Sequence, residues 1–223
     1  MARLARVVLP GYPHHITQRG NRQQDVFFEA GDYAYYLELL VEWCAYEKIE
    51  IWAYCLMTNH IHLIVKPGKK SNLGKAIGEV HRRYTRMINF RENWKGYLWQ
   101  GRFASYPMDK SWLLRAAAYV ELNPVKARIV KNAWDYRWNS VLAHLSGKDR
   151  EGIIQPEKLL SLTGDWKAYL KAAQAYRDKE FEQHERTGRP LGDERFVERA
   201  ERLLKRDLKK KKPGPKGKDS DNN

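Results

Sequence analysis

The sharpest chemical signal in this 223-residue chain is His60-Ile61-His62. In a strand, alternation places both imidazoles on one side, about 7 Å apart along the chain, and turns Ile61, Leu63 and Val65 toward the core. Two imidazoles on one face make half of a metal site, because neutral imidazole is a common ligand of divalent cations. The same pair also suits a solvated strand face that holds nothing, and a third donor decides between the two. Tyr119 and Asn123, four residues apart, share a face of any helix that carries them. Packed beside the histidine strand, the Asn123 carbonyl oxygen could complete the ligand set while the Tyr119 hydroxyl approaches the same cation. A tyrosine hydroxyl, with a pKa near 10, is a weak nucleophile until a cation or base stabilises the phenolate. Spacing alone favours for Tyr119, one of 13 tyrosines, the commoner role of a core aromatic with its hydroxyl at the surface.

The elements that must position these residues can be read from periodicity. His14–Arg19 is a first strand closed by Gly20-Asn21, and Asp32 caps a helix running to about Glu47, with Tyr36, Leu39, Leu40 and Trp43 at helical spacing. Two β-rich runs, Ile49–Leu56 and His60–Val65, separated by Thr58-Asn59, read as a hairpin. Ser71-Asn72 caps a second helix that ends near Asn89 or Phe90, Leu98–Tyr106 supplies a further strand, and Asp109 or Ser111 caps a third helix, Trp112–Leu122. That helix ends at Asn123 because Pro124 pushes the preceding residue out of the α region. The order predicts an α+β fold, a ferredoxin-like or RNA-recognition-like antiparallel sheet with helices on one face. Residues 1–145 form the main domain, 146–186 a helical extension, 187–208 a basic helical segment and 209–223 a disordered Lys-rich tail.

Forty-one Lys and Arg against 27 Asp and Glu give a formal charge of +14. Residues 205–223 hold +5 of this, so the other 204 residues keep +9. A folded body this basic favours a polyanion, most often nucleic acid, over a simple solubility charge. Arg19 and Arg22 leave the first strand, Arg82, Arg83 and Arg86 line the second helix, and Trp99 and Arg102 lie at the start of the Leu98–Tyr106 run. Guanidinium and aromatic groups interleaved this way suit unstacked bases and a phosphate backbone. Their plainer roles are a solvated helix face and, for Trp99, a core anchor. No apolar run approaches the ~18 residues that cross a bilayer, and Val7-Val8-Leu9 is too short for a signal-peptide core, which predicts a cytoplasmic protein. Cys44 and Cys55 lack the spacing of a zinc or redox pair and read as buried thiols.

Several separated blocks, in one order, resemble the REP-associated tyrosine transposases, bacterial relatives of the single-tyrosine HUH transposases of insertion sequences. The blocks are Tyr12–Arg22, Ala53–Ile64, Trp99–Phe103, Tyr119–Ala127 and Tyr136–Ser140, with a weaker one at Thr187–Gly192. Ala127-Arg128-Ile129-Val130 departs from the commoner Ala-Gly-Leu-Val. The resemblance implies that His60 and His62 are metal ligands, that Asn123 contributes the third ligand, and that Tyr119 is the nucleophile. It implies Mg²⁺ or Mn²⁺ as cofactor, and as partner single-stranded DNA hairpins from repetitive extragenic palindromes, met at the bacterial nucleoid by a monomer or homodimer. The expected reaction is cleavage and rejoining through a 5′-phosphotyrosine. A noncatalytic nucleic-acid binder on the same fold and a hydrolase that uses His60 and His62 with a bound water are the competing readings.

Overall fold

The structure, a computed structural model, describes residues 6–175, 181 and 189–208. Its centre is a four-stranded antiparallel sheet in the order β2-β3-β1-β4, built from β1 (His14–Arg19), β2 (Ile49–Met57), β3 (His60–Pro67) and β4 (Ala104–Pro107). Helix α1 (Ala30–Tyr46) carries the chain from β1 to β2, and β3 then inserts between those two strands; α2 (Leu73–Arg91) leads on toward β4. This split crossover is the ferredoxin-like arrangement, as the order of periodic segments predicts.

Strand alternation in β3 divides its side chains between two cores. Ile61, Leu63 and Val65 pack with Ile16 of β1 beneath α1 and α2, while Ile64 joins Ala53 and Cys55 of β2 on the opposite face. A bulge between Ile51 and Ala53 switches the parity of β2. One extra residue at Trp52 lets Ile49 and Ile51 before it, and Tyr54 and Leu56 after it, all face α1 and α2.

The second face of the sheet is where the fold differs from expectation. Helices were expected on one face, and α1 and α2 do occupy one. The other face is covered too, by α3 (Lys110–Glu121) and by elements of the extension, so on the histidine side of β3 His62 is buried and His60 half-buried. Helix α5 (Val141–Ser146) closes the main domain, and α6 (Glu157–Leu160) and α7 (Trp166–Ala175) belong to the extension. Val141, Leu159, Trp166 and Leu170 share a core with Ile64 and α3. At its centre the fully buried Glu121 accepts hydrogen bonds from Ser140 Oγ (2.6 Å) and Trp166 Nε1 (2.8 Å) and pairs with His144 Nδ1 (2.6 Å). A buried carboxylate is tolerable only when so many partners replace its water.

Several boundaries move for local reasons. The N-cap of α1 is Glu29, and Asp32 sits at the third helical position, closing a capping box and accepting from the Phe28 N–H at 2.8 Å. Burial opposes the Asp32 charge, yet Arg91 (2.5 Å) and these backbone N–H groups hold its carboxyl below the usual range. Of the expected caps, Asn72 and not Ser71 caps α2, and Asp109 and not Ser111 caps α3. The fourth strand begins only at Ala104, since Gly101 turns the chain with φ +67°; Leu98–Phe103 is a loop bridged to β1 at Gly20 and Trp99.

Helix α3 stops at Glu121, and Asn123 opens a new short helix, α4 (Asn123–Lys126), instead of ending the old one. Pro124 lies in the first turn of α4, where its missing N–H costs nothing. Arg128 then takes φ +60°, with Arg128 N–H bonded to Val125 O and Ile129 N–H to Pro124 O, both at 2.9 Å. This is a Schellman ending at a position that favours glycine. Arg128→Gly is expected to stabilise the fold by about 1 kcal/mol, because a side chain in the left-handed region costs roughly that much. A urea midpoint equal to or below that of the parent would refute the assignment.

Farther on, Leu191 extends the edge of β4 through bonds to Pro107 O and from the Asp109 N–H. Helix α8 (Glu194–Leu204), predicted as basic and helical, is capped by Asp193 and packs Phe196 and Ala200 on Val7 and Leu9. The predicted tail, 209–223, lies outside the described residues. Among those residues no helix is long and apolar enough to cross a membrane. Cys44 and Cys55 are buried and unbridged.

Candidate active site

The sheet face under α3 gathers the residues of the HxH pattern with those of the third helix. His60 and His62 lie side by side, ring centroids 5.0 Å apart and nearly perpendicular. The Tyr119 ring meets His62 edge-on at 5.7 Å, because α3 packs directly across β2 and β3. Asn123, itself buried, reaches His60 from the start of α4. Two strand residues, one helix residue and the first residue of the next helix therefore converge, a meeting that spacing left open, and His62 is only 4% exposed.

Hydrogen bonds hold both imidazoles. His60 Nδ1 is 2.6 Å from Asn59 Oδ1. His62 Nδ1 is 2.9 Å from His15 Nε2, the two rings stacked at 5.1 Å. Burial, reinforced by the nearby Arg19 charge, lowers the His60 pKa to about 4 despite a contribution from Asn123 in the other direction. Burial likewise drives His62 well below the ordinary range, helped by His60, His15 and Arg19. Both rings are neutral near pH 7, the state that ligates a metal. With each Nδ1 engaged, Nε2 is the nitrogen through which either ring would hold a cation.

These residues fit a divalent cation. Among the described residues no three His, Cys, Asp or Glu side chains come together as a metal cluster, so a third protein donor would be the amide. Asn123 Nδ2 is buried with no hydrogen-bond partner among the described residues. The Asn123 oxygen is the end that meets His60, where it accepts from the ring, so the amide already presents an oxygen donor beside the paired imidazoles.

His15 and three further residues escaped the sequence reading. The diagonal neighbour of His62 across β1 and β3 is His15, which stands opposite Ile64 and is 47 residues distant in the chain. Phe181 packs on Tyr119 (4.6 Å) and His15 (5.3 Å). Lys126 Nζ lies 3.9 Å from the centre of the Tyr119 ring, and Asn59 fixes His60. Alternation would have put His15 on the face of the HxH pair had the strand register been known.

The predicted DNA-contacting residues scatter more widely. Arg19 is exposed and close enough to lower both histidine pKa values, and Arg22 is exposed on the 3-10 turn Asn21–Gln23 in a left-handed conformation, φ +52°. Arg82, Arg83 and Arg86 border an open groove of about 600 Å³ on α2, across the sheet from Tyr119. There Arg82 binds Glu79 (2.6 Å) and Arg83 binds Glu42 (3.2 Å). Arg102 is exposed in the loop before β4. Trp99 is a correction: it is 6% exposed and stacked on His81 at 4.5 Å, so it anchors the core and offers no face to a base.

Buried neutral histidines have a consequence for stability. Burial lowers His14 to about 4, and His15 and His81 to about 3. His14 Nε2 accepts the Leu9 N–H at 2.9 Å, a bond that protonation would break. The unfolded chain protonates these rings at about pH 6.5 and the folded chain only near 3 to 4. Stability is therefore unaffected above pH 6.5 and falls as pH drops below it, by up to about 1.4 kcal/mol per pH unit for each ring. Urea midpoints at pH 7, 6 and 5 are expected to decline steeply between the last two; a flat series would show that the rings are charged in the folded state.

The model of the family described as "Transposase IS200 like" matches residues 10–123, half of the chain and all four converging residues. No curated protein matches. Among solved structures, a REP-associated tyrosine transposase bound to a REP hairpin is 18% identical, with 69% of this chain and 88% of that one covered and a TM-score of 0.57, a likeness of fold. A Deinococcus radiodurans protein assigned as a transposase is also 18% identical, covering 54% of this chain and 96% of that one, with a TM-score of 0.37. With its antiparallel sheet, its paired strand histidines and its tyrosine helix all within or spanning the matched segment, the chain belongs to the IS200-like transposase family.

Proposed function

We propose that this transposase cleaves and rejoins single-stranded DNA at hairpins of the repetitive extragenic palindrome type, with Tyr119 as nucleophile. The observation that carries the reading is the convergence of Tyr119, His60, His62 and Asn123 in one cluster on the second sheet face. Tyr119 Oη forms a bond to phosphorus as the bond to the 3′-oxygen breaks. The hydroxyl proton leaves Tyr119, the 3′-oxygen takes up a proton, and the products are a 5′-phosphotyrosine and a free 3′-OH. One phosphodiester replaces another, so a second DNA 3′-OH can reverse the step without ATP.

His60 Nε2, His62 Nε2 and Asn123 Oδ1 would hold Mg²⁺ or Mn²⁺. When bound, such an ion supplies positive charge at a non-bridging phosphate oxygen. The protein does the rest by placement. His15 and Asn59 fix ring orientation, the packing of α3 on β2 and β3 fixes Tyr119, and Arg19 and Lys126 add positive charge near the histidines for the backbone. The fold shared with the REP-hairpin complex supports a hairpin as substrate, and a basic chain acting on chromosomal DNA would work at the nucleoid.

The test is incubation of the protein with labelled hairpins carrying single-stranded flanks from its own genomic neighbourhood, with Mg²⁺, Mn²⁺ or EDTA, followed by a denaturing gel. A protein-linked product that needs the cation is expected. Cleavage without that product would favour the hydrolase, and tight binding without cleavage the noncatalytic binder.

A further inference from the structure

A cleft of about 300 Å³ lies between α3 and α7, with Tyr119 in its wall. Ala118 and Leu122 of the nucleophile-bearing segment line one side, and Ala172 and Ala173 of α7 the other. The small residues on α7 make the room. Tyr169 completes the wall and stacks on Trp166 at 5.5 Å, with the two ring planes 19° apart. Trp166 is in turn pinned by its Nε1 bond to the buried Glu121, at 2.8 Å. The aromatic wall is therefore held rigid from behind by the core of the protein. Cationic side chains stand at the two ends, Arg115 one helical turn before Tyr119 and Lys126 beyond Leu122.

An apolar slot with an aromatic wall and a cation at each end has the recognition chemistry of a nucleotide. The slot and the ring take the base, and the cations take the flanking phosphates. The geometry points to this cleft as a base pocket for a nucleotide of the single strand next to the phosphate that Tyr119 attacks, making α7 a determinant of sequence preference. Helix α7 lies outside the segment that matches the family, so it can set a preference of this chain's own while the chemistry stays the same. The inference rests on the reading of Tyr119 as nucleophile, and its test separates the two.

The probe is a DNA hairpin with a six-nucleotide randomised single-stranded flank, bound by the full chain in EDTA, the bound fraction then being sequenced. The parent and Tyr119→Phe are expected to enrich one base at one flank position. Ala172→Leu and Ala173→Leu fill the slot, and Tyr169→Leu removes the stacking ring while leaving an apolar side chain. Each is expected to cut that enrichment about tenfold, the scale of one lost base stack, while preferences at other positions persist. Absence of any base preference in the parent, or a preference that survives in all three variants, overturns the pocket. An adduct that persists in Tyr119→Phe overturns the nucleophile instead and leaves the binding preference intact.

Discussion

Tyr119→Phe removes the covalent protein–DNA product and lowers strand cleavage on the order of 10⁴-fold or more, the scale on which loss of a nucleophile acts. The substitution is confined to one oxygen. The phenylalanine ring keeps the contacts with His62 and Phe181 and stays beneath Lys126, so fold and hairpin affinity are expected to remain within about twofold of the parent. Measuring adduct on a denaturing gel and affinity by anisotropy distinguishes a chemical defect from a binding defect. Other tyrosines are poor substitutes: Tyr36 of α1 and Tyr84 of α2 are fully buried on the opposite side of the sheet. An undiminished adduct in the variant would move the nucleophile elsewhere and remove the basis of the proposed reaction.

His62→Ala has the second large effect, a loss of cleavage on the order of 10³-fold that added Mn²⁺ does not restore. It deletes a proposed ligand and the partner of His15 together. His15→Leu separates these roles. If His62 donates its Nδ1–H to His15 Nε2, the proton is kept off His62 Nε2, which is then the correct tautomer for coordination. Removal of that partner is expected to weaken Mn²⁺ binding about 10- to 100-fold, read by calorimetry without DNA, with cleavage recovering at saturating Mn²⁺. Unchanged Mn²⁺ affinity in His15→Leu would show that the contact is packing alone. Retention of both affinity and cleavage in His62→Ala would place any cation elsewhere.

Much of this architecture is readable because it is local. Strand alternation puts His60 and His62 on one side whatever the fold, and Asn72 and Asp109 cap their helices through side-chain bonds to N–H groups two or three residues on. The helix-strand order restricts topology to few choices, since crossovers between parallel strands have one hand. What escaped the reading depends on long-range packing. Trp99 looks like a stacking surface beside Arg102 until its burial against His81 is seen. Asp32 looks like a cap until Glu29 closes the box one residue before the helix.

The identity of the chemical groups was determined by the sequence alone: two imidazoles at strand spacing, a tyrosine and an amide at helical spacing, a basic body, and the motif blocks that relate them. These depend on covalent order and on two backbone periods, which need no knowledge of distant contacts. The tertiary structure decided whether the groups meet and in what electrostatic state. The bulge at Trp52 orients β2, the β1–β3 register brings His15 to His62 across 47 residues, and α3 with its extension covers the face that alternation would have left in water. That cover keeps the imidazoles neutral and places α7 beside Tyr119. Both results come from desolvation and packing between segments far apart in the chain, which no local pattern encodes.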